Sequence, residues 1–413
     1  MKLLQINIVA NISSTGRIAE GIGLVAQRAG MESWVAYGRA ANPSASHLIR
    51  IGTAFDVCEH GIETRLFDNH GLASRRATSA FLKKVEEIGP DIVLLHNIHG
   101  FYLNYKILFR YLREKRIPVV WTFHDCWPFT GHCAYFELSG CDKWKTGCGA
   151  CPRKGSYPAS RFLDRSRKNY RDKKRCFTSI ADLTIVPVSN WLDGLVGQSF
   201  MKDFPRVVIH NGIDTDAFSP SSEADRRATR ERLGIREDET MLLGVAGDWD
   251  ERKGLRDFVE LSGRLSPKRK IVLVGLDRRR IAGLPPGMIG LGRTESTGEL
   301  AKLYSAADLF LNLTCEDNYP TTNLEAISCG TPCLTYRTGG SPESVCPETG
   351  YVVGKGDIAS VLEIVEHLPE KNVAELRKRA VGSFKQESCF ERYVSLFEEI
   401  CKRRGAPANG AAR

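Results

Sequence analysis

The chain has 413 residues, a net charge of +9, 42% hydrophobic residues and 26% charged ones. That length exceeds one typical core and points to two domains, and no window approaches the roughly 18 uninterrupted apolar residues of a membrane span. The 13 cysteines are an odd number, and the start of the chain reads as a strand rather than a leader, which argues against a disulfide framework and for a cytoplasmic setting.

The first apolar run, LLQINIVA (3–10), predicts a strand. It leads into NISSTGRIAEGIG, where Gly16 precedes a helix with apolar positions Ile18, Ile22 and Val25. A glycine at a helix N-terminus lets an anionic or sugar group approach the backbone. GRIAEG does not match the dinucleotide fingerprint, which speaks against a Rossmann dehydrogenase. Further runs follow at 33–38, 91–96, 118–124, 183–189 and 206–212, then at 240–247, 270–275, 308–314 and 331–336. Most are rich in Val, Ile and Leu without alternation, as parallel strands are when helices cover both faces. Strand followed by helix, repeated along the chain, predicts an α/β protein with two doubly wound, Rossmann-like domains. The polar stretch 219–234 marks the transition. The expected division is 1–205, 206–385, an amphipathic helix over 386–404 and a disordered tail over 405–413. That helix carries Phe390, Tyr393, Val394, Phe397 and Ile400 at helical spacing.

Open α/β sheets bind ligands at the carboxyl ends of their strands. Those ends are polar here: His96, Asn97 and His99; His124 and Asp125; Ser189 and Asn190; His210 and Asn211; Asp248; Glu316 and Asp317. After His124 comes a cysteine-rich loop, 126–152, with Cys133, Cys141, Cys148 and Cys151. Four thiols in a long loop suggest a structural zinc, the alternative being a set of buried or free cysteines. Eight Lys or Arg then fall between Arg161 and Arg175. They read either as a solvated helix face or as a patch that contacts an anionic membrane.

In the second half, GDWDERKGL places Arg252 and Lys253 just after a strand. Two adjacent cations there suit a diphosphate, since Arg pairs two oxygens and Lys adds a mobile charge. The stretch EDNYPTTNLEAISCG (316–330) starts a helix near Thr321 or Thr322 and stops it at Gly330. Thr322 and Glu325 have the spacing of a capping box. The alternative leaves the helix N–H groups to a phosphate and Glu325 to sugar hydroxyls.

The acidic loop, the helix with its second Glu and then CGTPCLTYRTGGSPE (329–343) resemble the signature of retaining nucleotide-sugar glycosyltransferases of the GT-B fold, family 4. In that signature two acidic residues stand with seven residues between them, followed by a small-residue helix, GTP and a GG..E turn. The RKG at 252–254, NGID at 211–214 and ADLFLNLT at 307–314 match too. HDCWPFTGHC with GCDKWKTGCGACP (124–133 and 140–152) resembles a subgroup found in bacterial capsule, O-antigen and exopolysaccharide (colanic-acid-like) assembly. The resemblance implies two domains facing a cleft, with the last helix packing back on the first. It implies that Arg252 and Lys253 neutralise the donor diphosphate, with the amides of Thr321 and Thr322 and with Gly16 close by. Glu325 would bind ribose. His124 and the first acidic residue would face the transferred sugar; the spacing selects Asp317, with Glu316 beside it. His99 and Asn211 would lie on the acceptor side.

The implied reaction is retaining transfer of a hexosyl group, without a catalytic metal or other cofactor, from a nucleotide sugar. The acceptor would be a glycan or polyprenyl-diphosphate-linked oligosaccharide, and the enzyme would work at the inner face of the plasma membrane. The alternatives are a sugar-nucleotide epimerase or phosphorylase of the same fold, or a basic zinc protein that binds nucleic acid. Few aromatic residues interleave the basic run, so nucleic acid is not an expected partner.

Overall fold

The structure, a computed structural model, describes residues 1–405. Of the tail expected over 405–413, it describes only Gly405, which ends a helix. The chain forms two compact units, Met1–His210 with the segment from Glu387 onward, and Asn211–Gln386. The break falls a few residues beyond the 205/206 boundary drawn from the sequence.

The first unit contains β1 (Lys2–Asn7), α1 (Ser13–Arg28), β2 (Glu32–Tyr37), β3 (His47–Arg50), α2 (Ala54–Phe67), α3 (Arg75–Ile88) and β4 (Ile92–Leu95). It continues with α4 (Tyr105–Lys115), β5 (Val119–Phe123), α5 (Ser166–Phe177), β6 (Leu183–Pro187) and α6 (Asn190–Val196). The second unit contains α7 (Glu223–Arg232), β7 (Thr240–Val245), α8 (Leu255–Ser262), β8 (Arg269–Val274), α9 (Arg278–Ala282), β9 (Met288–Leu291) and α10 (Thr297–Ala306). It closes with β10 (Leu309–Asn312), α11 (Thr321–Ser328), β11 (Cys333–Tyr336), β12 (Gly350–Val353), α12 (Ile358–Glu366) and α13 (Val373–Phe384). The last helix, α14 (Gln386–Gly405), returns to the first unit.

Polar side chains start many of these helices. Thr53 closes a capping box with Asp56, and Asn104, Ser189, Ser222, Ser296 and Asn372 each accept from the N–H three residues on. The central strands are apolar on both faces, and IVLL of β4 and VVWTF of β5 are buried throughout. Each unit therefore builds a parallel six-stranded sheet, ordered β3-β2-β1-β4-β5-β6 in the first and β12-β11-β10-β7-β8-β9 in the second. Counted from each unit's own first strand, the two orders are the same. Both reverse direction between the first and fourth strands, β1/β4 and β7/β10, where such sheets bind ligands.

The helix α14 packs as its spacing predicts. Phe390, Tyr393, Val394, Phe397 and Ile400 are buried in one cluster with Leu3, Ile22, Ile92, Val120 and Val186. Burying each such side chain contributes roughly 1.5–3 kcal/mol. The Tyr393 hydroxyl also reaches Thr122 Oγ1 of β5, at 3.0 Å.

Two strand expectations change. The run at 206–212 makes no strand; it lies along β6 through an Ile185–Arg206 bridge and the Val207 and Ile209 N–H groups, which donate to the Ile185 and Pro187 carbonyls. The outer strands β3 and β9 and the edge strand β12 were not expected. Each is only four residues long, and β3 leaves three of them exposed, so none carries a core-strand pattern. Among the described residues no helix is long and apolar enough to cross a membrane.

Candidate functional site

In the second unit, two loops meet at the β7/β10 reversal. The loop after β7 turns through a 3-10 helix, Glu251–Lys253. Gly254 follows it with φ +72, and a Cβ there would lie 2.0 Å from the Leu313 carbonyl oxygen. Only glycine allows that approach. The Cys315 N–H then donates to the Arg252 carbonyl at 2.7 Å, which ties the loop to the end of β10.

The side chains converge. Lys253 Nζ lies 2.8 Å from Asp317 Oδ2, and Arg252 Nη1 lies 3.9 Å from the same oxygen. Arg252 Nη1 also donates to the Glu316 carbonyl at 2.8 Å. Burial alone would raise the Asp317 carboxyl, but Lys253 and Arg252 outweigh it and hold it below the usual range. Burial pulls Lys253 down, partly offset by Asp317. Glu316 is 1% exposed, with its side chain turned into the protein. The glycine turn after β11 supports this loop from the other side. Gly339 has φ +54, and a Cβ there would lie 1.7 Å from the Asp317 carbonyl oxygen.

Of the two readings of this helix start, the capping box between Thr322 and Glu325 does not form. The helix starts at Thr321, and its N-cap is Pro320, two residues before Thr322, with no side-chain cap. The Glu325 carboxylate instead accepts from the buried Tyr304 hydroxyl at 3.0 Å. Thr321 and Thr322 thus occupy the first turn of a helix that no side chain caps, the arrangement that favours an anion. Asn211, expected on the acceptor side, belongs to this unit and donates to the Tyr319 carbonyl at 3.2 Å. The structure therefore places it with the acidic loop.

In the first unit, polar side chains gather at the ends of β1, β4 and β5. His124 follows β5 directly, and its Nε2 is 3.0 Å from Nδ1 of His96, at the end of β4. Burial pushes His124 down to about 4, despite the opposing pull of Asp125. His99 is buried between Asp125 Oδ2, 2.8 Å from its Nε2, and the Tyr157 hydroxyl, 2.9 Å from its Nδ1. Asp125 also accepts from the Trp127 N–H at 2.9 Å. Gly16 lies inside the first turn of α1 rather than ahead of it, and its carbonyl accepts from the Asn11 N–H at 3.2 Å.

Comparison with known proteins identifies the family and the fold. The family model described as glycosyl transferases group 1 matches residues 225–385. The model described as Glycosyltransferase Family 4 matches residues 22–217. The chain belongs to glycosyltransferase family 4. An Escherichia coli K12 protein named as a colanic acid biosynthesis glycosyl transferase, WcaC, is 25% identical over 331 residues, 76% of this chain and 77% of that one. A Corynebacterium glutamicum GDP-mannose-dependent phosphatidylinositol monomannoside mannosyltransferase is 28% identical over 190 residues, 42% of this chain and 48% of that one. Among solved structures, sucrose-phosphate synthase from Thermosynechococcus elongatus superimposes with a TM-score of 0.70 at 17% identity, covering 97% of this chain and 99% of that one. Anabaena HepE in complex with UDP-glucose does so with a TM-score of 0.66 at 14% identity, covering 97% and 100%. The fold is GT-B.

In this transferase the four loop cysteines come together. Cys133, Cys141, Cys148 and Cys151 line one small pocket with His132 and Trp144. The Cys133 and Cys151 thiols share a hydrogen bond, and the Gly131 N–H donates to Cys148 Sγ at 3.2 Å. His132 is fully buried with Nδ1 2.6 Å from Asp68 Oδ1, and its Nε2 has no partner. Among the described residues, no three His, Cys, Asp or Glu side chains converge to hold a metal.

The basic run becomes α5 of the transferase, and its charges are not all outward. Lys173 is 1% exposed, donates to the Trp127 carbonyl at 2.7 Å and lies 3.4 Å from the centre of that ring. Asp172 pairs with Lys106, Lys168 and Arg175. Sequence reasoning missed Tyr304 and Gln5. Neither falls inside a motif that carries a polar signature, and each reaches its site residue across the fold.

Proposed function

We propose that this chain is a retaining glycosyltransferase. It moves a sugar from a nucleotide-diphosphate sugar to a glycan or lipid-linked oligosaccharide in bacterial surface polysaccharide synthesis. The observation that carries this reading is the convergence of Arg252, Lys253 and Asp317 at the β7/β10 reversal. Sugar transfer builds positive charge at the anomeric carbon and negative charge on the departing diphosphate. Fixed cations and an uncapped helix start aimed at that diphosphate lower the barrier. In this reading Arg252 and Lys253 take the place of a divalent ion, the amides of Thr321 and Thr322 hold the distal phosphate, and Glu325 binds ribose. Lys253 moves from Asp317 to the phosphate as donor arrives, which leaves Asp317 to the sugar. His124 is assigned to the transferred sugar, and His99 to the acceptor side. The leaving phosphate takes the acceptor proton during front-face attack. The likeness to WcaC and to a UDP-glucose-binding fold supports the donor class and the pathway.

The Arg252→Ala, Lys253→Ala double variant tests the site. Thermal-shift titration with nucleoside diphosphates and their sugars should show stabilisation of the wild type and none of the variant. Equal stabilisation of both would sink the assignment, and the anomeric configuration of the product, read by NMR, tests retention.

We place the enzyme in the cytoplasm at the inner face of the plasma membrane, with the outward cations of α5 toward anionic lipid; co-sedimentation with anionic vesicles is the check. For the thiol pocket we propose a structural zinc. Its support is that Cys133, Cys141, Cys148 and Cys151 line one pocket; their side chains, which do not converge as described, would have to close around the ion to supply its four ligands. Elemental analysis should find about one zinc per chain, lost in Cys148→Ser, Cys151→Ser.

A further inference from the structure

Tyr304, from α10, and Glu325, from α11, meet inside the second unit. Tyr304 is 0% exposed and Glu325 6%. Burial and the adjacent carboxylate push the Tyr304 phenol well above its ordinary range, so it keeps its proton. An ionised carboxylate has no proton to give. The 3.0 Å contact is therefore the Tyr304 O–H donating to Glu325 Oε2, and the bond has one direction. A carboxylate offers about four acceptor positions, so one bond from the phenol does not fill it.

The phenol is rigidly mounted. Its ring stands edge-on to Phe310, with centres 5.4 Å apart and planes at 77°. Its backbone carbonyl accepts from the Thr331 hydroxyl, just past the end of α11, at 2.6 Å. Lys371 Nζ closes the same corner. It donates to the Ser305 and Ala307 carbonyls at 2.8 and 2.6 Å and to Thr331 Oγ1 at 3.2 Å. The C-terminal end of α10 is thus tied to the chain that leaves α11. Glu325 itself is softer. The last torsion of a glutamate is broad and roughly two-fold, and a bond to a fixed donor narrows it.

We infer that Tyr304 is a positioning residue: by holding Glu325 Oε2 it sets the plane of the carboxylate for the neighbouring 2′ and 3′ hydroxyls of the donor ribose, and so makes the site select ribonucleotides over deoxyribonucleotides. This rests on the assignment of Glu325 to ribose. Two hydroxyls on adjacent carbons stand at a fixed spacing. A carboxylate serves both only in one orientation, and holding that orientation in advance removes an ordering cost from binding. A site built to bond a hydroxyl then rejects the ligand that lacks it. The diphosphate is the same in both kinds of nucleotide, so Tyr304 acts on the discrimination and not on the whole affinity.

Calorimetry of the full chain with UDP, GDP and ADP, each beside its 2′-deoxy form, tests this. The wild type should bind its preferred nucleotide at least roughly tenfold more tightly than the deoxy form. Tyr304→Phe removes one hydroxyl and should shrink that ratio by about 3- to 10-fold, with the deoxy affinity unchanged. An equal loss for both nucleotides would mean a merely structural role and would overturn the inference, as would an unchanged ratio. A wild type that binds both forms equally, or none of the nucleotides, would instead remove Glu325 from ribose and the inference with it. Should Tyr304→Phe not fold, 3-fluorotyrosine placed at position 304 keeps the ring and its hydroxyl while changing the strength of the donor. A ratio that does not move with that change would overturn the positioning role.

Discussion

The two units share one strand order and differ in how they prepare a site. The second unit uses fixed charge: Arg252, Lys253 and Asp317 stand together on loops pinned by Gly254 and Gly339. The first unit uses neutral hydrogen-bonding rings. Of the nine histidines only His367 lies in the second unit, and His60, His70, His96 and His124 are all pushed toward the uncharged form. The difference teaches that one topology can carry fixed charge at the strand ends of one unit and buried, neutral hydrogen-bonding rings at those of the other. In both units the tuning is done at the strand ends, and the sheet itself is untouched.

Changes to the charged half should have the largest effect. Asp317→Asn should lower kcat by about 10²–10³-fold at saturating donor, and more than Glu316→Gln does. The reverse order would move the role to Glu316 and break the picture of a charged triad. Gly254→Ala forces a side chain toward the Leu313 carbonyl at positive φ and should cost roughly 3 kcal/mol in urea unfolding. A loss within experimental error would mean that the loop is not pinned as described.

The neutral half should respond to acid. His60 is buried, its Nε2 accepting from the Gly71 N–H at 3.0 Å, and burial pushes it down to about 4. Its folded value is below the ordinary 6.5, so its contribution is complete above pH 6.5 and is lost as pH falls from 6.5 toward 4. At pH 5 the loss is about 2 kcal/mol from this residue alone. Hydrogen exchange should show amides of α2 and α3 losing protection between pH 7 and 5 while β7 and β8 keep theirs. Equal loss in both units would erase the contrast. The smallest effect expected is that of Thr322→Ala. Without a capping box it should change stability by under about 0.5 kcal/mol, against roughly 1 for a true cap.

The charged half was the more legible in sequence because its residues lie in contiguous motifs. RKG and the acidic pair each sit on one loop, so spacing alone names them. Local spacing alone left the capping box open, because it does not see Tyr304, which holds Glu325 from another helix. The neutral half was legible as polar strand ends, including His96, His99 and His124. Their connections were not, since Gln5 and His96 are far apart in sequence and meet only when β1 pairs with β4. The outer strands β3, β9 and β12 escaped for a related reason: short strands at a sheet margin need little apolar pattern.

The return of α14 to the first unit has a consequence for synthesis. The helix that covers Leu3, Ile92 and Val120 is made after the whole second unit. While the ribosome is still adding the second unit, the first sheet has one apolar face without its final cover. The unit begun last is therefore the first whose chain is complete, and the unit begun first is finished last. A ribosome stalled just before Gln386 should hold a folded second unit and a first unit still open to chaperones and proteases.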